Sequence, residues 1–357
     1  MAILSFLLVL LTLIISLINF FTIRRPLNDQ IVEERVNVLL PARNEAAHIE
    51  ECLQRLSVQK YLTDYRVIVI NDASTDETLR ICKQFAESDS RIAIVDSPAL
   101  RENWLGKVSA LHSGYEQSDC EYLITIDADV RLQPTAIACA INQLKDAELD
   151  FISPYPRQIA ETFTERLIQP LLHWSWMSTV VLRLAEKFPT RSTGIANGQF
   201  FVVRKAALDS INGFTSVAQK ILDDIELARS LIRDGARGIV VEGSHLARTR
   251  MYQSFAEIRQ GYGKSLHKAF GGIFGALFAA LLIFLVGIYP IYLALQGYLI
   301  GILTYLLSVF TRQLSALRAR SNPLYAFLHP LSSILLIYLL LFSWLMRGRI
   351  QWKGRTV

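Results

Sequence analysis

Tyr122-Leu123-Ile124-Thr125-Ile126-Asp127-Ala128-Asp129 runs from continuous apolar sequence straight into two carboxylates. Aromatic and β-branched residues dominate the run, which reads as a buried β-strand. Successive strand side chains alternate faces, so residues 127 and 129 point the same way if the strand persists. Two neighbouring carboxylates at the end of a buried strand repel each other unless a cation joins them. Their hard oxygen donors suit Mg2+ or Mn2+, ions that commonly also hold a diphosphate. An ordinary turn is the other reading of the same residues, because Asp is common where strands stop.

The sequence on either side repeats the pattern. Residues 36–40, 67–70 and 92–95 are short apolar strands, and helical stretches cover 46–59, 75–88 and 107–117. Such alternation predicts an α/β fold with a mostly parallel sheet covered on both faces. Ligands of such folds sit at the carboxyl ends of the strands. Polar residues gather there: Pro41-Ala42-Arg43-Asn44-Glu45 after the first strand, Asn71-Asp72-Ala73-Ser74-Thr75-Asp76 after the second, Asp127-Ala128-Asp129 after the fourth. Carboxylates at three strand ends point to one site. Other nucleotide motifs are excluded. No Gly-x-Gly-x-x-Gly follows the first strand, and Gly106-Lys107-Val108 and Gly263-Lys264-Ser265 lack the preceding glycine of a P-loop. Asp72, Ser74 and Asp76 imitate the start of a calcium loop, but Glu77 and Lys83 stand where that loop needs Gly and Glu.

Of 357 residues, 52% are hydrophobic, high for a soluble chain, and the excess lies at the two ends. Residues 2–23 are almost wholly apolar, long enough to cross a bilayer, which takes about 20 residues. Without a basic stretch before it or a small-residue cleavage site after it, the run is expected to be an anchor rather than a signal peptide. Arg24-Arg25 puts the downstream side in the cytoplasm. Further spans are expected at 272–289 and 291–310, broken at Tyr289-Pro290, and at 324–346, with a basic loop over 311–320. The resulting plan is a transmembrane helix at 1–23, an α/β domain at 33–265, a membrane domain of two to three spans at 269–346 and a basic tail at 347–357, in a multi-pass protein of the plasma membrane. Three crossings after a cytoplasmic domain would put the basic tail outside, against the charge rule, so the count stays open. The net charge of +5 lies partly in juxtamembrane segments, which fits anionic headgroups and argues against nucleic acid as a partner. Cys52, Cys82, Cys120 and Cys139 have no C-x-x-C spacing and read as free thiols.

The series Pro41-x-x-Asn44-Glu45, Asn71-Asp72-x-Ser74-x-Asp76, Gly106-Lys107, Asp127-x-Asp129 and Asp223-Asp224-x-Glu226-Leu227 resembles, in order and spacing, the inverting family-2 glycosyltransferases of the GT-A fold. The resemblance covers residues 35 to about 265. It implies a GT-A (nucleotide-diphospho-sugar transferase) domain with membrane helices at both ends. It also implies a nucleotide-sugar site built from Pro41, Arg43, Asn44, Glu45, Asp72, Ser74, Lys107, Asp127, Ala128 and Asp129, with a UDP-sugar the favoured donor. Asp72 would contact the nucleobase, Asp127 and Asp129 would carry the Mg2+ or Mn2+ that binds the diphosphate, and Asp224 would be the catalytic base.

The chemistry agrees with those roles. A divalent ion stabilises a departing sugar diphosphate, and inverting transfer needs a carboxylate to take the acceptor hydroxyl proton. Asp223 beside Asp224 raises its pKa by like-charge repulsion, and Lys107 near a helix N-terminus can reach a phosphate. Gln199, in Asn197-Gly198-Gln199-Phe200, falls in the region that lies beside donor sugar and acceptor in that family. Plainer readings stand beside these: acids in the first turn of a helix, a solvated lysine, a turn before the strand Phe201-Val202-Val203.

The Q-x-x-R-W motif of processive synthases is missing at Arg259-Gln260-Gly261-Tyr262-Gly263-Lys264, which favours transfer of one sugar or few. Arg248-Thr249-Arg250-Met251-Tyr252 resembles bacterial carotenoid glycosyltransferases of the diaponeurosporenoate type. Asn103-Trp104-Leu105-Gly106-Lys107 resembles that group and the hopanoid-associated and ceramide glucosyltransferases, and Trp352-Lys353-Gly354-Arg355 resembles their tail. Residues 163–188 add an apolar helix with Trp174, Trp176 and flanking Arg166, Arg183 and Lys187, which reads either as a membrane-interface helix or as a buried core helix. His173 within it reads as a packed histidine. The expected acceptor is a membrane lipid, a carotenoid or other polyisoprenoid. The alternatives are polyprenyl-phosphate or extracellular polysaccharide assembly, or a catalytically silent membrane scaffold of the same fold.

Overall fold

The computed structural model describes residues 1–347 and, of the tail, the backbone of 351–352 and 355–356; the expected tail motif at 352–355 falls outside the described side chains. The chain divides into two compact units. One comprises Met1–Ile23, Gln158–Arg183 and Arg250–Val357; the other comprises Arg24–Arg157 and Leu184–Thr249. The first unit opens with α1 (Ala2–Thr22).

In the second unit β1 (Val36–Ala42), α2 (Ile49–Ser57), β2 (Tyr65–Asn71), α3 (Thr78–Ser88), β3 (Ile92–Asp96), α4 (Gly106–Glu116) and β4 (Tyr122–Ile126) alternate as the sequence predicts. They are followed by β5 (Val130–Leu132), α5 (Ala136–Asp146), β6 (Phe151–Tyr155) and β7 (Arg157–Gln158). After α6 (Phe163–Met177) and α7 (Leu182–Lys187) come β8 (Phe200–Arg204), α8 (Lys205–Ser210), α9 (Asp223–Arg233), β9 (Gly238–Glu242) and β10 (Ala247–Thr249). Seven strands form one sheet in the order β3-β2-β1-β4-β8-β6-β9. β1 is parallel to β2 and β4, β2 to β3, and β6 to β9; β8 alone runs antiparallel to its neighbours β4 and β6. β10 pairs antiparallel with β5.

This topology explains why the polar strand ends meet. β1, β2 and β4 run the same way, so their carboxyl ends share one edge of the sheet. The ladder from β1 to β4 stops at Leu39 opposite Thr125, while the ladder to β2 continues to Ala42. Pro41 therefore sits where the β4 side no longer asks for a backbone donor. Leu39, Ile70, Leu123, Phe151 and Phe201 belong to the core beneath this edge and are almost fully buried. Each such side chain stabilises the fold by roughly 1.5–3 kcal/mol through burial alone. The segment after residue 23 is clamped to the same unit. Arg24 makes a bidentate pair with Glu186 at 2.7 Å, Arg25 meets Glu242 at 2.9 Å, and the Asn142 amide donates to the Gln30 carbonyl at 2.8 Å.

The other unit is built for an apolar surrounding. Four of its helices are long and apolar enough to cross a membrane: Ala2–Thr22, Ile273–Leu295, Leu299–Arg318 and Pro323–Leu345. On α1 the buried face carries Ser5, Val9, Leu13, Ser16 and Asn19, while Ile3, Leu4, Leu7, Leu11 and Ile14 face outward. Small and polar residues inside and large apolar ones outside is the arrangement of helices packed in lipid.

Two boundaries differ from those expected. The break predicted at Tyr289-Pro290 lies instead at Gln296-Gly297-Tyr298, where Gly297 has φ 84. α11 (Ile273–Ile283) passes through a π-helical segment, Phe284–Ile288, into α12 (Tyr289–Leu295). Pro290 falls in the first turn of α12, where its missing N–H is not needed, so the proline starts a new turn rather than ending the helix. The basic loop predicted over 311–320 is mostly helix: α13 (Leu299–Arg318) continues through it, because Thr311, Arg312 and Ser315 turn inward. The turn that follows spans only a few residues before the 3-10 turn Pro323–Leu328 and α14 (His329–Leu345).

The apolar stretch 163–188 is two helices, α6 and α7, not one. α6 groups with the apolar unit. A Thr162–Glu165 capping box starts it, and buried Glu165 receives the Arg250 guanidinium at 3.1 Å. His173 is packed, its Nδ1 at 2.8 Å from Ser315 Oγ. α10 (Phe255–Ala269) completes this unit.

Candidate active site

The first loop is held by the second. Asn44 and Ala73 both take left-handed backbone, φ 52, a conformation asparagine tolerates and alanine adopts only when its surroundings impose it. The imposing contacts are explicit. The Asn44 N–H donates to Ser74 Oγ at 3.2 Å, Asn44 Oδ1 accepts from the Thr75 N–H at 2.8 Å, and Arg43 donates to the Asp72 carbonyl at 2.8 Å. The Glu45 N–H donates to Thr78 Oγ1 at 2.8 Å, and the Ala46 N–H to Asp76 Oδ2 at 3.1 Å. Asp76 also accepts from the Thr78 N–H and hydroxyl at the start of α3. Thus Arg43, Asn44, Glu45, Asp72 and Ser74 form one braced pair of loops, with Asp72 buried. Asp76 and Thr78 are its struts, roles that spacing alone does not distinguish from binding.

Beside this pair, β4 delivers Asp127 and Asp129. Ala128 between them is buried. Asp129 Oδ2 accepts from Thr249 Oγ1 at 3.0 Å. Asp127 Oδ1 lies 2.6 Å from Lys107 Nζ, at the first turn of α4. Burial, then the Asp127 carboxylate, push Asp129 up to about 6 against the pull of the Thr249 hydroxyl. Burial acts to lower the Lys107 pKa, but Asp127, Asp223 and Asp224 together outweigh it and raise it above the usual lysine range. A pair of carboxylates destabilised by each other, with an ammonium drawn against one of them, is a donor set that fits a hard divalent cation.

The turn Asn197-Gly198-Gln199 ties the other half of the site to this one. The Gln199 carbonyl accepts from the Asp127 N–H at 3.3 Å, and its side chain is paired with Asn197. The Gly198 N–H donates to Asp224 Oδ2 at 2.7 Å, and the Ile225 N–H to Asp224 Oδ1 at 2.8 Å. A methyl group on Gly198 would stand 3.2 Å from Asp224 Cβ and 3.5 Å from Lys107 Nζ, so this position lets the backbone approach the carboxylate closely. Asp223 and Asp224 do start helix α9, as the plainer reading has it, and Asp224 also projects into a small crevice lined by Lys107, Thr125, Gly198, Asp223 and Leu227. Burial first and Asp223 second push Asp224 up to about 6. A carboxylate so tuned is ionised at neutral pH yet more basic than a free aspartate.

The structure therefore gathers Lys107, Asp223 and Asp224 around one crevice, with Asp127 paired to Lys107, Gln199 bonded to the Asp127 backbone and Asp129 two residues beyond Asp127. Sequence reasoning gave no part to Thr249 or to the Gly198 amide. Thr249 sits within the quoted Arg248–Tyr252 segment, but only the pairing of β10 with β5 aligns it with Val130, next to Asp129. The four cysteines are free, and burial pushes the Cys52 thiol, close to this edge, up to about 12, so it has no nucleophilic part.

Residues 37–211 match the model of the family described as Glycosyl transferase family 2. Over 259 residues the chain is 27% identical to 4,4'-diaponeurosporenoate glycosyltransferase of Staphylococcus aureus, a match that takes in 71% of this chain and 66% of that relative, so just under two thirds of the relative's length. Among solved structures, the mannosyltransferase PcManGT from Pyrobaculum calidifontis, in complex with GDP-Man and Mn2+, is similar with a TM-score of 0.55 and 19% identity, over 96% of this chain and 95% of that one. That likeness is one of fold.

Proposed function

We propose that this chain, whose residues 37–211 match the model of glycosyl transferase family 2 and whose sheet has the GT-A form, is a family-2 glycosyltransferase that moves a single sugar, with inversion, from a nucleotide-diphosphate sugar to a membrane lipid. The observation that carries the reading is the crevice that Lys107, Gly198, Asp223 and Asp224 share beside Asp127. A carboxylate suited to act as base next to the Lys107 ammonium supports this reading.

The nucleoside lies against the braced loops of Arg43–Glu45 and Asp72–Ser74. Asp127 and Asp129 would hold Mg2+ or Mn2+, whose positive charge would stabilise a departing diphosphate. Lys107, beside Asp127 in the first turn of α4, would offer its ammonium to a phosphate oxygen. Asp224, its oxygens held by the Gly198 and Ile225 N–H groups, takes the acceptor hydroxyl proton as that oxygen attacks the anomeric carbon from the face opposite the diphosphate. Asp223 keeps Asp224 basic.

A lipid acceptor is supported by the four candidate spans and by the named substrate of the S. aureus relative; a UDP-sugar is the donor to test first. The missing Q-x-x-R-W argues against processive polysaccharide synthesis. Arg24-Arg25 after α1 supports a cytoplasmic position for the α/β unit.

The test is transfer of labelled sugar to a membrane lipid extract by Asp224→Asn. Loss of a positioned base costs about 10²–10⁴-fold in kcat. Wild-type activity retained in D224N would overturn the assignment of the base, and a wild-type protein inert toward every lipid fraction, but active on a soluble acceptor, would overturn the lipid.

A further inference from the structure

The apolar unit contains a cation for which it supplies no counter-charge. Arg312 lies on α13 within a candidate membrane span and is 3% exposed. Residues 258–357 contain no Asp or Glu, and neither does α1. Three carboxylates lie elsewhere in the unit: Glu161 and Glu165 are both engaged by Arg250, and Glu257, in the first turn of α10, accepts from the Gln253 N–H at 2.9 Å. Among the described residues Arg312 spends one donor: its Nη1 lies 3.0 Å from His329 Nδ1. A guanidinium has five N–H donors and cannot give up its proton, so His329 accepts at Nδ1 and is the neutral tautomer that carries its proton on Nε2. That Nε2 is itself buried without a hydrogen-bond partner, as is Ser332 Oγ on the next turn of α14. Both residues are fully buried.

A buried arginine with no acidic partner is costly in any surrounding and most of all in lipid. Nothing in its neighbourhood repays the cost: Thr311 Oγ1 accepts from Trp174 Nε1, and Ser315 Oγ is taken by His173. Arg312 lies six residues before the helix end at Arg318, about 9 Å at 1.5 Å per residue. That is the depth, on the order of 5–10 Å, at which headgroups give way to acyl chains. Arg318 and Arg320 make the same end of α13 cationic.

We propose that Arg312 is a binding site for the anionic head of a membrane lipid, a phosphate or carboxylate held by the guanidinium. The site lies wholly within the apolar unit and does not depend on the proposed transfer reaction or on its acceptor.

The experiment is native mass spectrometry of the full chain in nanodiscs of phosphatidylglycerol, of phosphatidylcholine, and of phosphatidylcholine with added inorganic phosphate. Wild type should retain phosphatidylglycerol through detergent exchange and retain no phosphatidylcholine. Arg312→Gln should lose about tenfold or more of that retention, the effect of removing a charge-assisted contact, and Arg312→Lys should hold an intermediate amount. Adduction of inorganic phosphate in the phosphatidylcholine discs, equal to that of the lipid, would overturn a lipid site in favour of a free-anion site. Equal retention of the two lipids by wild type, or unchanged retention in a monodisperse R312Q, would overturn the proposal; the wild-type comparison decides it even where the variant does not fold.

Discussion

Asp224 shows how much two backbone N–H groups can set at one carboxylate. The Gly198 and Ile225 amides orient the carboxylate, while burial and Asp223 raise it to about 6. Only the ionised form can accept a proton, so kcat/KM should be level above that value and fall about tenfold per pH unit below it. A pH–rate profile with its acid limb near 4 instead would show that the base is a different, unburied carboxylate. Gly198→Ala puts a methyl group 3.2 Å from Asp224 Cβ. The expected result is a drop in kcat of roughly tenfold to a hundredfold with an unchanged melting temperature, since displacing a base by a fraction of an ångström disturbs chemistry more than folding. Equal activity in G198A would mean that Asp224 need not sit where it does. Neither effect is legible in the order of the residues, because Asn197-Gly198-Gln199 and Asp223-Asp224 lie far apart in the chain.

Among the elements, α1 illustrates why an apolar run is not merely an anchor. Its one strongly polar buried residue, Asn19, donates to the Met177 and Val180 carbonyls at 2.9 and 2.6 Å and accepts from the Leu182 N–H at 3.0 Å. It closes the C-terminal end of α6, where carbonyls would otherwise lack partners. Asn19→Leu makes α1 more hydrophobic yet should destabilise the detergent-solubilised protein by about 1–3 kcal/mol, because it strands buried backbone groups. Thermal aggregation followed by size exclusion measures this; a more stable variant would show that water or lipid serves those groups equally well. Sequence periodicity places Asn19 in a span and says nothing of α6, whose end it caps.

For the molecule as a whole, the ion pairs that fasten residues 24–34 to the α/β unit make stability depend on acid. Glu242 is desolvated, which raises its pKa, but His245, Ser244 and their hydrogen bonds outweigh burial and bring it down to about 2; Arg25 adds a contact at 2.9 Å. A carboxylate whose folded pKa lies below its unfolded value of 4.5 contributes stability above that value, and the contribution is lost as pH falls toward 2. Wild type should therefore lose melting temperature steeply below about pH 4.5. Glu242→Gln should start lower at neutral pH and change less across the same range. A parallel fall in both proteins would assign the acid sensitivity to other carboxylates.

Strand and helix alternation, the carboxylate-bearing strand ends and the apolar termini are local patterns, each set by neighbours within a few residues, and they determined from sequence alone the fold class and the presence of helices long and apolar enough to cross a membrane. Pairings across the chain were decided only in three dimensions. Thr249 reaches Asp129 because β10 lies on β5, and Lys107 reaches Asp127 because α4 begins beside the end of β4. The helix break near Pro290 moved because the proline falls in the first turn of α12, after a π-helical segment, where its missing N–H is not needed, and Arg312 left its predicted loop because α14 offered it a buried imidazole. Hydrophobic period is a property of a segment, whereas a hydrogen-bond partner is a property of the packing that brings two segments together.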